Sequence, residues 1–370
     1  MLAAAVPAPA RAAPAEPPPL PGPGNGCAGP SPVVAGDTSW AFKRVGPTGV
    51  WPLTRGAGVT VAVVDTGTSR AAAGLSGAVA AGTTVVGRGR GDSDCAGRGS
   101  ALAGLVAARP VSGSLFAGVA PEARILPVRI VDGKGKVPPG ALAAGIRAAA
   151  GAGAGVILIG VGVPAPDDAL RSAVRLAVAR DAVVVAAVSD RNAQEGRPPA
   201  PWYPASDPEV LAVGGLSASG ARTERVAEGA GLDLLAPGER AYTVGPRGGG
   251  NYTVGGPAVA AAYVAGAAAL VRAYHPGLGQ AEVRRRLIAT SEPSDGGVGV
   301  LDIYAAVADV AGPAVVVPGG SGGSVVLPTA APPAPAKVIA GAVALGTAGA
   351  ALGAYLIGLA VRSRRRLRRS

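Results

Sequence analysis

The stretch "GVTVAVVDTGT" at residues 58–68 sets the fold expected for this chain. Its first eight residues form an almost continuous apolar run, which ends on Asp65 and then turns through Gly67. Strands buried on both faces read in this way, and such strands belong to parallel sheets covered by helices. We therefore predict a buried strand over 58–65, with Asp65 at its carboxyl end.

Four further apolar runs of strand length follow along the chain: "ARILPVRIV" (123–131), "GVILIGVGV" (155–163), "AVVVAAVSD" (182–190) and "VLAVGGL" (210–216). Helical segments lie between and after them: "PGALAAGIRAAAGAG" (139–153), "PDDALRSAVRLAVARD" (166–181) and "GGPAVAAAYVAGAAALVRA" (255–273). The second is amphipathic, and the third reads as a buried helix. Repeated alternation of strand and helix predicts an α/β fold with a mostly parallel central sheet and helices on both faces.

Composition limits the function classes. The 370 residues are 49% hydrophobic, which is enough to bury a large core, and the net charge is +11. Six of the arginines crowd into "RSRRRLRRS" at 362–370, and no basic patch with interleaved aromatic residues occurs elsewhere. Nucleic-acid binding is therefore not expected.

The two ends of the chain indicate export and anchoring. Residues 338–361 contain no charge and are long enough to cross a bilayer, and the arginines beyond them orient the C-terminus toward the cytoplasm. Residues 1–12 are interpreted as a signal-peptide remnant, although they lack a basic n-region. The predicted organisation is that remnant, a Pro-rich arm (13–37), the globular domain (38–312), a Gly/Pro/Ala linker (313–337), one transmembrane helix (338–361) and a cytoplasmic tail (362–370).

Cys27 and Cys95 are the only cysteines. In a cytosolic protein they would be unrelated thiols, whereas in an exported one an even count favours a disulfide. That bond would tie the Pro-rich arm to the loop around Cys95.

Four phrases carry the site: "VAVVDTGT" (61–68), "DCAGRGSALAGLVAA" (94–108), "VVVAAVSD" (183–190) and "GGPAVAAAYVAGAAALV" (255–271). In this order they resemble the motifs V-D-[ST]-G, H-G-T-x-V-A-G, A-A-G-N and G-T-S-x-A-x-P-x-V-A-G of the subtilisin-like serine proteases. With "GVAPEARILPVRI" (118–130), "APG" (236–238) and the membrane tail, the chain resembles the mycosins, the membrane-anchored subtilases associated with type VII secretion. The resemblance implies the type VII secretion membrane complex as the partner.

Position by position, the resemblance places one retained catalytic residue and three changed ones. Asp65 aligns with the aspartate of the triad, Arg98 with the histidine, Ala258 with the serine and Asp190 with the asparagine of the oxyanion hole. Alanine has no nucleophile, and arginine has no acceptor with which to take a proton. A carboxylate would repel an oxyanion. With no histidine to orient, Asp65 is expected to accept hydrogen bonds in its turn or to pair with Arg98.

No other residues replace the missing groups. The single histidine, His275, lies 17 residues after Ala258, about 25 Å along a helix. The four lysines lie outside the four phrases, and Ser100 is interpreted as a helix cap or packing residue. One histidine and two cysteines are too few ligands for a metal site, and no cofactor is expected.

Three functions remain open. The favoured one is a pseudoprotease that binds or scaffolds at the secretion machinery without cutting. The second is an active serine endopeptidase with a non-standard site. The third is a peptide-binding module, because family members hold extended substrates beside the segment that here contains Gly160, Val161 and Gly162.

Overall fold

The structure is a computed structural model that describes residues 15–22, 26–189, 201–223, 231–294 and 297–308. The signal-peptide remnant, the linker, the predicted transmembrane helix, the basic tail and Asp190 all lie outside these residues.

A seven-stranded sheet forms the centre of the fold. Its strands are β1 (Thr60–Asp65), β2 (Thr83–Thr84), β3 (Arg124–Arg129), β4 (Val156–Ile159), β5 (Val183–Ala187), β6 (Leu211–Leu216) and β7 (Leu234–Pro237). They are all parallel, in the order β2-β3-β1-β4-β5-β6-β7. An antiparallel pair, β8 (Ala241–Val244) and β9 (Asn251–Val254), stands apart from the main sheet.

Seven α-helices accompany the strands in the part of the chain that the structure describes. They are α1 (Trp40–Val45), α2 (Arg98–Ala107), α3 (Ala141–Gly151), α4 (Asp168–Ala179), α5 (Pro257–Tyr274), α6 (Gln280–Ala289) and α7 (Ile303–Ala308). On β1, Val61 and Val63 pack on the side of α2 and α5, whereas Ala62 and Val64 pack on the side of α3 and α4. This alternation explains the continuous apolar run, since both faces of the strand are buried.

Helix α5 is buried from Val259 to Val271, as the small residues of its sequence predict. Among the described residues it is the one helix with the length and apolarity to span a membrane, and its burial shows it to be a core helix. At Gly266 a β-carbon would lie 2.7 Å from the Cβ of Val119, so glycine allows the close packing of α5 against that residue.

The five predicted strands and the helices on both faces are confirmed, with two differences. The run at 155–163 was expected to be one strand, but β4 ends at Ile159 and the chain then leaves the sheet. The sequence also did not predict β2, β7 or the β8–β9 pair, whose strands are only two to four residues long.

Candidate functional site

The carboxyl edge of the sheet opens into a groove of about 890 Å³. Arg98 at the start of α2, Ala258 at the start of α5 and residues 160–162 after β4 all line it. Asp65 ends β1 and is fully buried behind Arg98. The structure thus brings these predicted site residues together at the edge where α/β folds carry their sites.

Arg98 and Asp65 form a two-pronged ion pair. Nε of Arg98 donates to Oδ1 of Asp65 at 3.0 Å, and Nη2 donates to Oδ2 at 2.7 Å. The Asp65 side chain is 0% exposed and that of Arg98 is 22% exposed. The backbone N–H of Thr66 also donates to Oδ1 of Asp65, at 2.8 Å. Both readings of Asp65 from the sequence are therefore confirmed, because it serves the turn and the ion pair at once.

The position of this ion pair leaves no room for a side chain at Gly160. A β-carbon there would overlap Oδ2 of Asp65 and lie 2.6 Å from Cδ1 of Leu102. Gly162 similarly packs against Trp202, where a β-carbon would overlap the indole nitrogen. The two glycines predicted to border the groove do line it. Because they have no side chain, the neighbouring residues can pack closely against them.

The backbone beside these glycines is only partly hydrogen-bonded. Val163 pairs with Tyr203 through two N–H···O contacts of 2.8 Å. Within the described ranges, the backbone groups of Val161 and Gly162 form no hydrogen bond. This stretch therefore presents free donors and acceptors to the groove.

The start of α2 is held by Asp94, a residue that the sequence analysis missed. Its Oδ1 accepts from the Gly97 N–H at 2.9 Å, and its Oδ2 accepts from both the N–H and the hydroxyl of Ser100 at 2.8 Å. The Ser100 hydroxyl in turn accepts from the Ser69 N–H at 2.9 Å. Burial raises the pKa of Asp94 above its ordinary value. An aspartate just ahead of a glycine-led helix start was the available signal.

Ser100 therefore has the structural role that the sequence indicates. Among the described residues, no side chain forms a comparable network at the start of α5. Gly256 precedes it without a side-chain cap, Pro257 is its first residue, and Ala258 presents a methyl group that packs against the core.

The histidine and one of the four lysines considered in the sequence analysis have different outcomes. His275 ends α5, and its Nε2 lies 2.8 Å from the carbonyl oxygen of Val307, remote from the groove. Lys136 was set aside because it lies outside the four phrases, but the structure brings it to the groove lining. Its side chain is exposed and makes no hydrogen bond to any hydroxyl of the described residues. The described residues therefore form no serine–lysine pair at this position.

The Pro-rich arm forms part of the groove. Leu20 N–H donates to the Thr253 carbonyl at 3.0 Å, and Thr253 N–H donates to the Pro18 carbonyl at 2.8 Å, so the arm runs along β9. The Cys27–Cys95 disulfide, with Cα atoms 4.4 Å apart, is present as predicted and ties the arm to the loop before α2.

The described residues contain no cluster of three or more His, Cys, Asp or Glu side chains suited to a metal ion.

Comparison with known proteins agrees with this architecture. The model of the subtilase family, peptidase S8, matches residues 56–320. Subtilisin DY of Bacillus licheniformis is 32% identical over 238 residues, which cover 64% of this chain and 85% of that protein. The chain therefore belongs to the subtilase family.

Within that family the chain is similar to the mycosins. Mycosin-3 of Mycobacterium tuberculosis is 32% identical over 375 residues, covering 84% of this chain and 79% of that protein. The solved structure of MycP3, a protease from the type VII (ESX-3) secretion system, superposes with a TM-score of 0.66 at 29% identity, covering 79% of this chain and 97% of that one. A structure of the serine protease MycP1, described as an essential component of the type VII (ESX-1) secretion system, gives a TM-score of 0.65 at 30% identity and covers 79% and 96%.

Proposed function

We propose that this mycosin-like subtilase is a pseudoprotease, which binds extended peptide segments in its groove and does not cut them. The observation that carries the proposal is the ion pair, in which both carboxylate oxygens of Asp65 accept from Arg98. In this proposal Asp65, Arg98, Ala258 and Asp190 occupy the positions of the family's aspartate, histidine, serine and oxyanion asparagine.

The chemistry of these four residues supports inactivity. Serine proteases need a hydroxyl nucleophile, a base that takes its proton and a carboxylate that orients the base. Ala258 offers no hydroxyl, and a guanidinium carries donors only, so Arg98 cannot serve as the base. At the position that the resemblance assigns to it, Asp190 would add a negative charge where the transition state develops one. Each change removes a different part of the reaction.

The groove itself supports binding. Its walls are predominantly apolar, and Val161 and Gly162 keep unpaired backbone groups at its edge. An extended peptide adds to such an edge through main-chain hydrogen bonds, while its side chains enter neighbouring pockets. Loss of a nucleophile leaves these features intact.

The proposed location of the protein is the cell membrane. We infer an extracytoplasmic body (38–312) that is anchored by residues 338–361, with the basic tail in the cytoplasm. Because the relatives MycP1 and MycP3 belong to type VII secretion systems, the proposed partner is that machinery.

A binding experiment tests the proposal. Dodecamer peptides displayed on phage are selected on the full-length chain, and the enriched sequences are synthesised with a fluorescent label. We expect saturable binding by anisotropy and intact peptide by mass spectrometry after prolonged incubation. Ala258→Leu, which adds bulk to the groove, should weaken binding, whereas the matched change at the exposed residue Ala281 of α6, Ala281→Leu, should not.

Two results would contradict the proposal. One is peptide cleavage that disappears in the Asp65→Asn variant. The other is the absence of any selected peptide whose binding responds to Ala258→Leu.

Stepwise restoration of the site tests the assignment of positions. Arg98→His with Ala258→Ser should give little hydrolysis, because Asp190 still opposes the oxyanion. Adding Asp190→Asn should raise hydrolysis of a fluorogenic peptide. Robust cleavage by the double variant alone would show that Asp190 is not a third inactivating change.

A further inference from the structure

Beside the Cys27–Cys95 disulfide lies a second depression of about 410 Å³, separate from the site residues of the groove. Three arginines line it: Arg70, Arg129 and Arg247. They come from three distant parts of the sequence and meet because the fold places them there.

The end of one strand and two hydrogen-bonded loops position these arginines. Arg129 is the last residue of β3, where it lies in register with Asp65 of the adjacent strand β1. Arg70 lies in the loop that follows β1, and Arg247 lies in the β8–β9 loop. The two loops are joined by backbone hydrogen bonds of Gly248, whose carbonyl accepts from Ala73 N–H at 2.9 Å and whose N–H donates to the Ala71 carbonyl at 3.1 Å.

The depression carries more positive charge than its own carboxylates neutralise. Asp92 accepts from Arg90 through both oxygens, at 2.7 and 2.8 Å, and also lies 3.0 Å from Nε of Arg70. Asp94 is buried and is bonded to the start of α2. Within the part of the chain that the structure describes, Arg129 and Arg247 have no ion-pair partner within 4.0 Å.

We propose that this depression, the arginine pocket, binds an acidic segment of a partner protein through its Asp and Glu carboxylates. Guanidinium groups recognise carboxylates through paired, charge-assisted hydrogen bonds. The volume of about 410 Å³ is far larger than the roughly 30 Å³ of one water molecule, so it accommodates several carboxylate side chains. Its described lining contains no aromatic ring, whereas single-stranded nucleic acids are bound by stacking bases on such rings.

This inference is independent of the groove, because it rests on different residues. The test uses the full-length chain and a fluorescein-labelled hexa-aspartate peptide, with binding followed by anisotropy at physiological salt. Arg129→Gln combined with Arg247→Gln should weaken binding about tenfold or more, since each lost charge-assisted contact removes a substantial part of the affinity. Neither residue forms an ion pair in the described structure, so the variant should keep its fold, which circular dichroism verifies. Lysine at both positions should restore part of the binding.

The matched control removes the same number of charges elsewhere. Arg171→Gln with Arg175→Gln on the exposed face of α4 should leave hexa-aspartate binding nearly unchanged. Equal weakening by the two double variants would mean that overall positive charge explains the binding, and would overturn the proposal. Oligothymidine and anionic vesicles serve as alternative probes. Binding of either one that depends on Arg129 and Arg247, without binding of hexa-aspartate, would also overturn it.

Discussion

Helices α2 and α5 both start at the carboxyl edge of the sheet, and each follows a glycine with positive φ, 86° at Gly97 and 105° at Gly256. Beyond that point they differ. At α2, Arg98 pairs with Asp65, and the backbone amides of Gly97 and Ser100 donate to Asp94. The start of α5 has no side-chain cap and presents the methyl group of Ala258.

The difference follows from what each residue requires of its neighbours. A guanidinium brings a charge and five donors, and beside a buried carboxylate it becomes part of the framework. A methyl group requires no polar partner. In the proposed assignment, the residue at the histidine position therefore forms part of the polar framework, whereas the residue at the serine position offers no polar side-chain group.

The largest effect on stability is expected from the disulfide, which ties the Pro-rich arm to the loop before α2. Replacing both Cys27 and Cys95 by serine should lower the free energy of unfolding by about 4 kcal/mol, because the bond joins residues 68 positions apart. Urea unfolding of the variant and of the reduced wild-type chain measures this. Equal free energies of unfolding for the oxidised and the reduced chain would indicate that the region around α2 does not depend on the disulfide.

Arg98→Ala should come next, at about 3 kcal/mol, because it leaves the buried carboxylate of Asp65 without its partner. The matched variant Arg171→Ala breaks an exposed pair with Asp168 and should change stability little. Thermal unfolding of both variants compares a buried with an exposed ion pair. If the two behave alike, the Arg98–Asp65 pair has no structural importance.

The stability contributed by the loop before α2 should depend on pH. Hydrogen bonds from Arg90 hold the pKa of Asp92 below its ordinary value. The stabilisation is therefore present above the ordinary aspartate pKa of about 3.9 and is lost as pH falls through the lowered pKa. Asp92→Asn should reduce stability at pH 7, by less than the two changes above, and this deficit should shrink below about pH 4. A deficit that does not change between pH 7 and pH 3 would exclude this charge effect.

The smallest effect is expected at the start of α5. Ala258→Ser should change the free energy of unfolding by under about 0.5 kcal/mol, since the residue lines an open groove. The same change at Ala281 on α6 provides the control. A large loss of stability at Ala258 alone would show that the two helix starts are equally constrained.

Sequence patterns predicted the parts of the fold that rest on long runs of one residue class. The Val-rich runs gave five strands, and the small residues of 255–273 gave the buried helix α5. β4 ends at Ile159, just before Gly160, where Asp65 lies too close to leave room for a β-carbon. This constraint comes from a tertiary contact that no local pattern encodes.

The ion pair at the site was predicted from the family resemblance together with chemistry. The resemblance places Arg98 beside Asp65, and a guanidinium beside a carboxylate implies the pair that the structure contains. The pairing of the arm with β9 was not foreseen, since a Pro-rich segment has no periodic pattern. The position of Lys136 at the groove was also missed, because its loop is brought there by the fold.

The most direct test of the central claim is the reaction of the purified full-length chain with a fluorophosphonate probe, combined with hydrolysis of fluorescent casein. Because Ala258 carries no nucleophile and Arg98 cannot accept a proton, the account predicts no attachment of the probe and no hydrolysis above buffer. Stoichiometric labelling together with casein hydrolysis, both lost in the Asp65→Asn variant, would contradict it.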